Sequence, residues 1–285
     1  MAIELRGLCM VITGASSGIG LATAVACARR GMNLALCARR VEKLEKVAEV
    51  CRGLGVRVLT RGLDGVDAAG CEAFIAEADD EFRDAGGVYG VFANAGYGLE
   101  RSVMETSDAD LRAIMETNVY GSLNVIRPAV ALMRSRPRVQ GRPRGHVLWC
   151  SSCLARVTLP YYGAYSASKA VQAHLGRAMR LELEPEGIIV STVHPITTKT
   201  EFFDATKVRS GRGTIAEHSP DWFAQPAEVV AERVVSCLRR PRAEVWTGAK
   251  GTFVRFGMSV MTMLPWVADA CTRGMVGAKS GKAAQ

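Results

Sequence analysis

Two side chains four positions apart can do chemistry together: Tyr165 and Lys169, in Tyr165-Ser166-Ala167-Ser168-Lys169. A free phenol has a pKa near ~10, too high for ready proton exchange at neutral pH. On a helix, residues i and i+4 lie on one face a turn apart, and an ammonium held there lowers a phenol pKa by about one to three units. This spacing predicts a proton donor and acceptor. A second group of residues, Thr13-Gly14-Ala15-Ser16-Ser17-Gly18-Ile19-Gly20, follows an apolar run and precedes Leu21-Ala22-Thr23-Ala24. Gly14 permits a tight turn, Gly18 lets the backbone approach a pyrophosphate, and Gly20 lets helix and strand pack closely. Exposed N–H groups at the helix start, reinforced by the macrodipole, would hold the phosphates. A glycine-rich turn alone is a weak signal, and its place between strand and helix strengthens it.

The next apolar run ends in Leu36-Cys37-Ala38-Arg39-Arg40. No carboxylate stands there to accept from a ribose 2′-hydroxyl, whereas two guanidiniums suit phosphate oxygens. NADP(H) is therefore the expected dinucleotide. The competing reading, that both arginines merely begin the next helix, places cations where the dipole disfavours them.

Short runs rich in Val, Ile and Leu alternate with longer stretches of helical period, as in a parallel sheet covered on both faces. Strands are expected near 8–13, 33–37, 56–60, 88–93, 145–150, 188–194 and 243–247, and helices over 18–30, 41–52, 67–85, 107–134, 160–184 and 226–239. The fold class predicted is α/β, a Rossmann-type doubly wound parallel sheet in a single domain. Residues 1–250 would form the catalytic domain, with an irregular lid over 196–225, and 251–285 an apolar extension ending in a frayed tail.

Taken in order, Thr13-Gly-x-x-x-Gly18-x-Gly20, Asn94-Ala95-Gly96, Asn118, Ser152 and Tyr165-x-x-x-Lys169 resemble the short-chain dehydrogenase/reductase family from about residue 5 to 247. The resemblance implies a seven-stranded sheet and hydride transfer to or from a nicotinamide, with Tyr165 exchanging the proton. It assigns Ser152, rather than Ser151, to the substrate oxygen, and Asn118 to a water chain leading from Lys169 to solvent. It places Asp64 and Asn94 along the adenine and its ribose. Pro195-Ile196-Thr197-Thr198-Lys199-Thr200 would lie around the nicotinamide carboxamide, although Ile196 and Thr198 depart from the family's pattern there. It further implies a homodimer or homotetramer built through the fourth and fifth helices. Relatives that epimerise or dehydrate, and a non-catalytic dinucleotide-binding protein, are the alternatives; the second is disfavoured because Ser152, Tyr165 and Lys169 are all present.

Apolar residues in the lid and beside the serine, notably Leu154, Val157, Tyr161, Phe202, Phe203 and Trp222, favour a hydrophobic carbonyl or alcohol as substrate. The formal charge of +8 is dispersed; its densest run, Arg134 to Arg144, is broken by Pro and Gly and reads as a solvated loop, not a nucleic-acid site. Nine irregularly spaced cysteines and no signal peptide suggest reduced thiols and a cytoplasmic protein, with Cys150 and Cys153 as small apolar residues at a strand end. No ligand cluster suggests a metal. His194, next to Pro195, reads as packing. The uncharged stretch Phe256 to Ala268 is too short to span a bilayer and is expected to pack against this chain or a second one, with contact at a membrane surface the weaker alternative.

Overall fold

The structure is a computed structural model and describes residues 2–139, 141–210, 224–247, 251–270 and 273. Its strands are β1 (Cys9–Thr13), β2 (Asn33–Ala38), β3 (Val58–Gly62), β4 (Val88–Ala93), β5 (Gly145–Cys150), β6 (Ile188–His194), the two-residue β7 (Thr198–Lys199) and β8 (Gln225–Pro226), and β9 (Glu244–Trp246). Seven of them form one sheet in the order β3-β2-β1-β4-β5-β6-β9, every pair parallel, while β7 and β8 pair separately. All seven expected sheet strands are present. The apolar runs reflect burial on both faces: along β1, Met10 and Ile12 face one layer of helices, and Cys9 and Val11 face the other.

The first layer holds α1 (Gly18–Ala28), α2 (Val41–Gly53) and α8 (Ala227–Arg239); the second holds α3 (Ala68–Glu81), α5 (Gly121–Ser135) and α6 (Gly163–Leu183). Local signals set several starts. The Asp67 carboxylate accepts from the Gly70 N–H at 2.9 Å and opens α3, and Ser107 with Asp110 forms a capping box on α4 (Asp108–Met115). Strand order reverses between β2 and β4 on the two sides of β1, so the loops after β1 and β4 part and leave a crevice beyond the strands' carboxyl ends.

Three expectations are corrected. The helix expected over 107–134 is interrupted by a π turn at Glu116–Tyr120. The helix expected from 160 starts at Gly163, because Tyr161 adopts a left-handed φ of 69°. The segment 196–225 is not wholly irregular: it contains β7, β8 and α7 (Phe202–Ser210). Trp222 and the rest of 211–223 lie outside the described residues, as does the tail from Lys279. After β9, α9 (Gly251–Met263) and a further helical stretch over 265–270 leave Phe253, Phe256, Met263 and Trp266 exposed. No described helix is long and apolar enough to cross a membrane.

Candidate active site

The glycine turn has the geometry its sequence requires. Gly14 and Gly18 have φ of 65° and 56°, values that side chains disfavour. A Cβ on Gly20 would stand 2.4 Å from the Gly14 carbonyl oxygen and 2.7 Å from the Asn94 amide, so α1 packs on the β1 turn only through glycine. Asn94 braces the turn: its Nδ2 donates to the Thr13 carbonyl at 2.9 Å, and the Thr13 hydroxyl accepts from the N–H groups of Asn94 and Ala95. Thr200 closes the far side, its methyl 3.1 Å from a Cβ built on Gly18. Thr198, on β7, donates to the Ile196 carbonyl at 2.8 Å, and the Pro195 carbonyl accepts from the Cys153 N–H at 2.9 Å, tying the segment after β6 to the end of β5.

Arg39 and Arg40 follow β2 toward the same crevice. Arg40 Nη2 donates to the hydroxyls of Ser17 at 2.6 Å and Ser16 at 3.3 Å, and Arg39 lies 3.7 Å from Asp64. Glu201 bridges Arg40 and Lys43 at 2.7 Å each, a contact that sequence reasoning missed. The cradle that a Cβ would fill, the paired serine hydroxyls and the nearby guanidiniums fit a dinucleotide. Residues Gly14 to Gly20 would hold its pyrophosphate, and Arg39 and Arg40 would meet its adenosine end.

The remaining candidates converge at the carboxyl ends of β4 and β5. Tyr165 lies in the first turn of α6, and Lys169 Nζ is 5.7 Å from its ring centroid. Nζ donates to the Cys150 carbonyl at 2.8 Å and to Gln172 Oε1 at 2.9 Å. Two serines compete for the substrate oxygen, and their surroundings separate them. The Ser151 hydroxyl donates to the Lys169 carbonyl at 2.8 Å and so fastens α6 to β5, whereas Ser152 is buried beside the Tyr165 phenol. His194 is a packing residue, stacked on Trp246 at 4.6 Å with Nδ1 3.1 Å from the Ser152 carbonyl.

Electrostatics correct one expectation. Burial pushes the Tyr165 phenol above its ordinary value, the Ser152 hydroxyl opposes this, and the buried thiols of Cys150 and Cys153 add to the rise. Burial likewise pushes Lys169 down, with Cys150 opposing. The ammonium's hydrogen bonds run to the Cys150 carbonyl and Gln172 rather than to the phenol.

Asn118 sits in the π turn, fully buried. Its Oδ1 accepts from the Tyr97 N–H at 3.0 Å, and its Nδ2 donates to the Tyr97 carbonyl at 3.1 Å and to Ser168 Oγ at 3.0 Å. Gly96 is small of necessity here, since a Cβ would lie 2.9 Å from Asn118 Oδ1. The Asn118 carbonyl accepts from the Ser122 hydroxyl and the Gln172 amide. Gln172 therefore stands where the expected water chain from Lys169 would begin.

Beside Tyr165 lies an apolar cluster of Leu99, Ile114 and Tyr162, with Tyr97, Leu154 and Phe202 packed against it. The ring centroids of Tyr165 and Phe202 are 5.6 Å apart. Leu154 and Phe202 thus join as expected, while Tyr162 takes the place anticipated for its neighbour Tyr161. Tyr162 donates its hydroxyl to Glu100 at 2.9 Å, a carboxylate only 1% exposed that the sequence did not flag. Among the described residues all cysteines are buried free thiols, including Cys150 and Cys153, and no group of side chains could hold a metal ion.

The family model for short chain dehydrogenase matches residues 8–210, and the chain belongs to that family. It is 33% identical over 237 residues to the glycine betaine reductase ATRR of Emericella nidulans, a match covering 83% of this chain. The chain spans 18% of that protein's length and 66% of mycobacterial oxidoreductases that are 31% identical to it. Among solved structures, a short chain dehydrogenase/reductase of Burkholderia phymatum in complex with NAD superimposes with a TM-score of 0.75 at 26% identity, covering 89% of this chain and 93% of its own. An alcohol dehydrogenase of Thermococcus sibiricus complexed with 5-hydroxy-NADP does so with a TM-score of 0.67 at 30% identity, covering 81% and 89%. These matches agree in placing the chain in the short chain dehydrogenase family, with the fold seen in its solved relatives.

Proposed function

We propose that the protein is an NADP(H)-dependent reductase or dehydrogenase acting on the carbonyl or secondary alcohol of a hydrophobic small molecule. The observation that carries this reading is the buried phenol of Tyr165, beside Ser152 and Lys169, at the mouth of the glycine cradle. The nicotinamide, when bound, supplies or accepts the hydride. Ser152 holds the substrate oxygen, and Tyr165 gives it a proton in reduction and removes one in oxidation. The apolar cluster around Tyr162, Leu154 and Phe202 supports an apolar substrate. Two arginines and no acid directly after β2 support the 2′-phosphate form of the cofactor.

Catalysis is assigned to residues 1–250, with 251–285 an appended apolar segment, and the active species is a homodimer or homotetramer, which light scattering measures. The function is tested with a panel of apolar ketones, aldehydes and secondary alcohols, followed by NADPH absorbance, alongside Tyr165→Phe. Loss of the phenol proton is expected to lower kcat by about 10²–10⁴. Undiminished turnover in Tyr165→Phe refutes the mechanism.

A further inference from the structure

Gln172 lies three residues after Lys169 on the inner face of α6 and is 0% exposed. A glutamine in a dry interior must satisfy both ends of its amide. Its Oε1 accepts from Lys169 Nζ at 2.9 Å, and its Nε2 donates to the Asn118 carbonyl and, at 3.1 Å, to the Ser122 hydroxyl. The reverse orientation would set the NH₂ against an ammonium and the oxygen against a carbonyl, so the surroundings fix which way the amide points. An ammonium has three protons to donate. The Cys150 carbonyl takes one and Gln172 another, which leaves one for the side of the site occupied by Tyr165.

We propose that Gln172 is a positioning residue for the proton-transfer pair: it holds the Lys169 ammonium in place beside Tyr165, and its amide closes the direction from Lys169 to the Asn118 carbonyl. The inference rests on the assignment of Tyr165 and Lys169 made above. The hydrogen bonds of Gln172 run to Lys169, Asn118 and Ser122, so it reaches the phenol through Lys169. The titratable groups facing that ammonium are Tyr165 on α6 and Cys150 at the end of β5, while the π turn and α5 present neutral Asn118 and Ser122. Without Oε1 the buried charge would keep a single acceptor among these residues.

Gln172→Met keeps the side chain's length and removes both polar ends; Gln172→Glu keeps an acceptor and makes it anionic. The first readout is the titration of Lys169, followed by NMR of lysine-labelled protein, which needs no turnover. Its midpoint is expected to fall by about one unit in Gln172→Met, a tenfold loss of proton affinity, and to rise in Gln172→Glu. The second is the pH profile of kcat for carbonyl reduction, whose alkaline limb should move down with Gln172→Met while KM for the dinucleotide stays within about twofold of the parent, as expected of a residue outside the cofactor cradle. If Gln172→Met does not fold, the rise in Gln172→Glu carries the test. An unmoved Lys169 titration in a folded variant overturns the proposal. So does a titration that moves while the kcat profile keeps its shape, because Gln172 would then be structural only. Should the parent protein show no turnover that Tyr165→Phe abolishes, the reading of the pair fails instead, and the NMR arm still reports the contact between Lys169 and Gln172.

Discussion

Exchanging Arg39 for Asp reverses one charge at the end of β2 and tests the proposed preference for a phosphorylated cofactor. The side chain is 64% exposed and its guanidinium lies 3.7 Å from Asp64, so its interactions are partly screened. A cofactor 2′-phosphate carries a charge of about −1.5 to −2, as phosphate monoesters do at neutral pH. At roughly 5 Å, with an effective dielectric of about 20 to 40, each unit of charge is worth about 1.7 to 3.3 kcal/mol. Discounting for exposure leaves about 1 kcal/mol per unit, the upper end for surface pairs. Arg39→Asp changes the site by two units against a charge of about 1.5 to 2, which comes to about 3 to 4 kcal/mol, or roughly a 150- to 900-fold rise in KM for NADPH. NADH has no charge at that position, so its KM should stay within about threefold. The assay is initial velocity against each cofactor at two salt concentrations, with Arg39→Gln as the variant that removes attraction without adding repulsion and should give about half the free-energy effect. Melting temperatures control for the carboxylate newly facing Asp64. Equal losses for NADPH and NADH refute the phosphate role.

Gly20→Ala should weaken dinucleotide binding by about tenfold or more, because the new Cβ meets the Gly14 carbonyl at 2.4 Å and the cost of overpacking is about 1 to 3 kcal/mol. Fluorescence titration with NADPH checks it, with Gly53→Ala, where no heavy atom lies within 4 Å of the added Cβ, as the neutral control; matching affinities for the two variants would show that the turn is not packed as described. His146 supplies a pH dependence. Burial lowers its pKa from 6.5 to about 3, with Nε2 2.8 Å from Ser191 Oγ. The folded protein keeps this imidazole neutral while the unfolded chain takes up a proton below pH ~6.5, so its stabilising effect is complete above that pH and is lost as pH falls toward about 3. Between pH 6.5 and 5 the loss is about 2 kcal/mol. Urea denaturation of the parent and His146→Gln should show the parent losing that much more over this range, and parallel pH dependences would contradict it.

The sheet was legible because its central strands β1, β2, β4, β5 and β6 are buried on both faces and their residues are therefore largely apolar. The catalytic residues could be grouped because parallel strands end on one edge, which brings segments far apart in sequence together. α7 left no such trace: of Phe202-Phe203-Asp204-Ala205-Thr206-Lys207-Val208-Arg209-Ser210 only Thr206 is buried, so no apolar stripe marks the helix. Tyr162 was not anticipated: it stands just before α6, next to Tyr161 with its left-handed φ of 69°, and its ring lies in the cluster beside Tyr165. A signal for Tyr162 did exist, since it stands three residues before Tyr165 and shares its helical face.

Gln172 was harder to read for a different physical reason. Its position relative to Lys169 follows from helical spacing, but its meaning depends on the Asn118 carbonyl 54 residues earlier. In an uninterrupted α-helix that carbonyl would accept from the backbone N–H of residue 122. In the π turn the Gly121 N–H reaches back to Glu116, and the Asn118 carbonyl accepts from the Ser122 hydroxyl and the Gln172 amide. The π turn thus presents a carbonyl to a glutamine on another helix, which in turn holds the lysine. Periodicity cannot show this, because apolar spacing reports which face is buried and not which carbonyl accepts from a side chain of another helix.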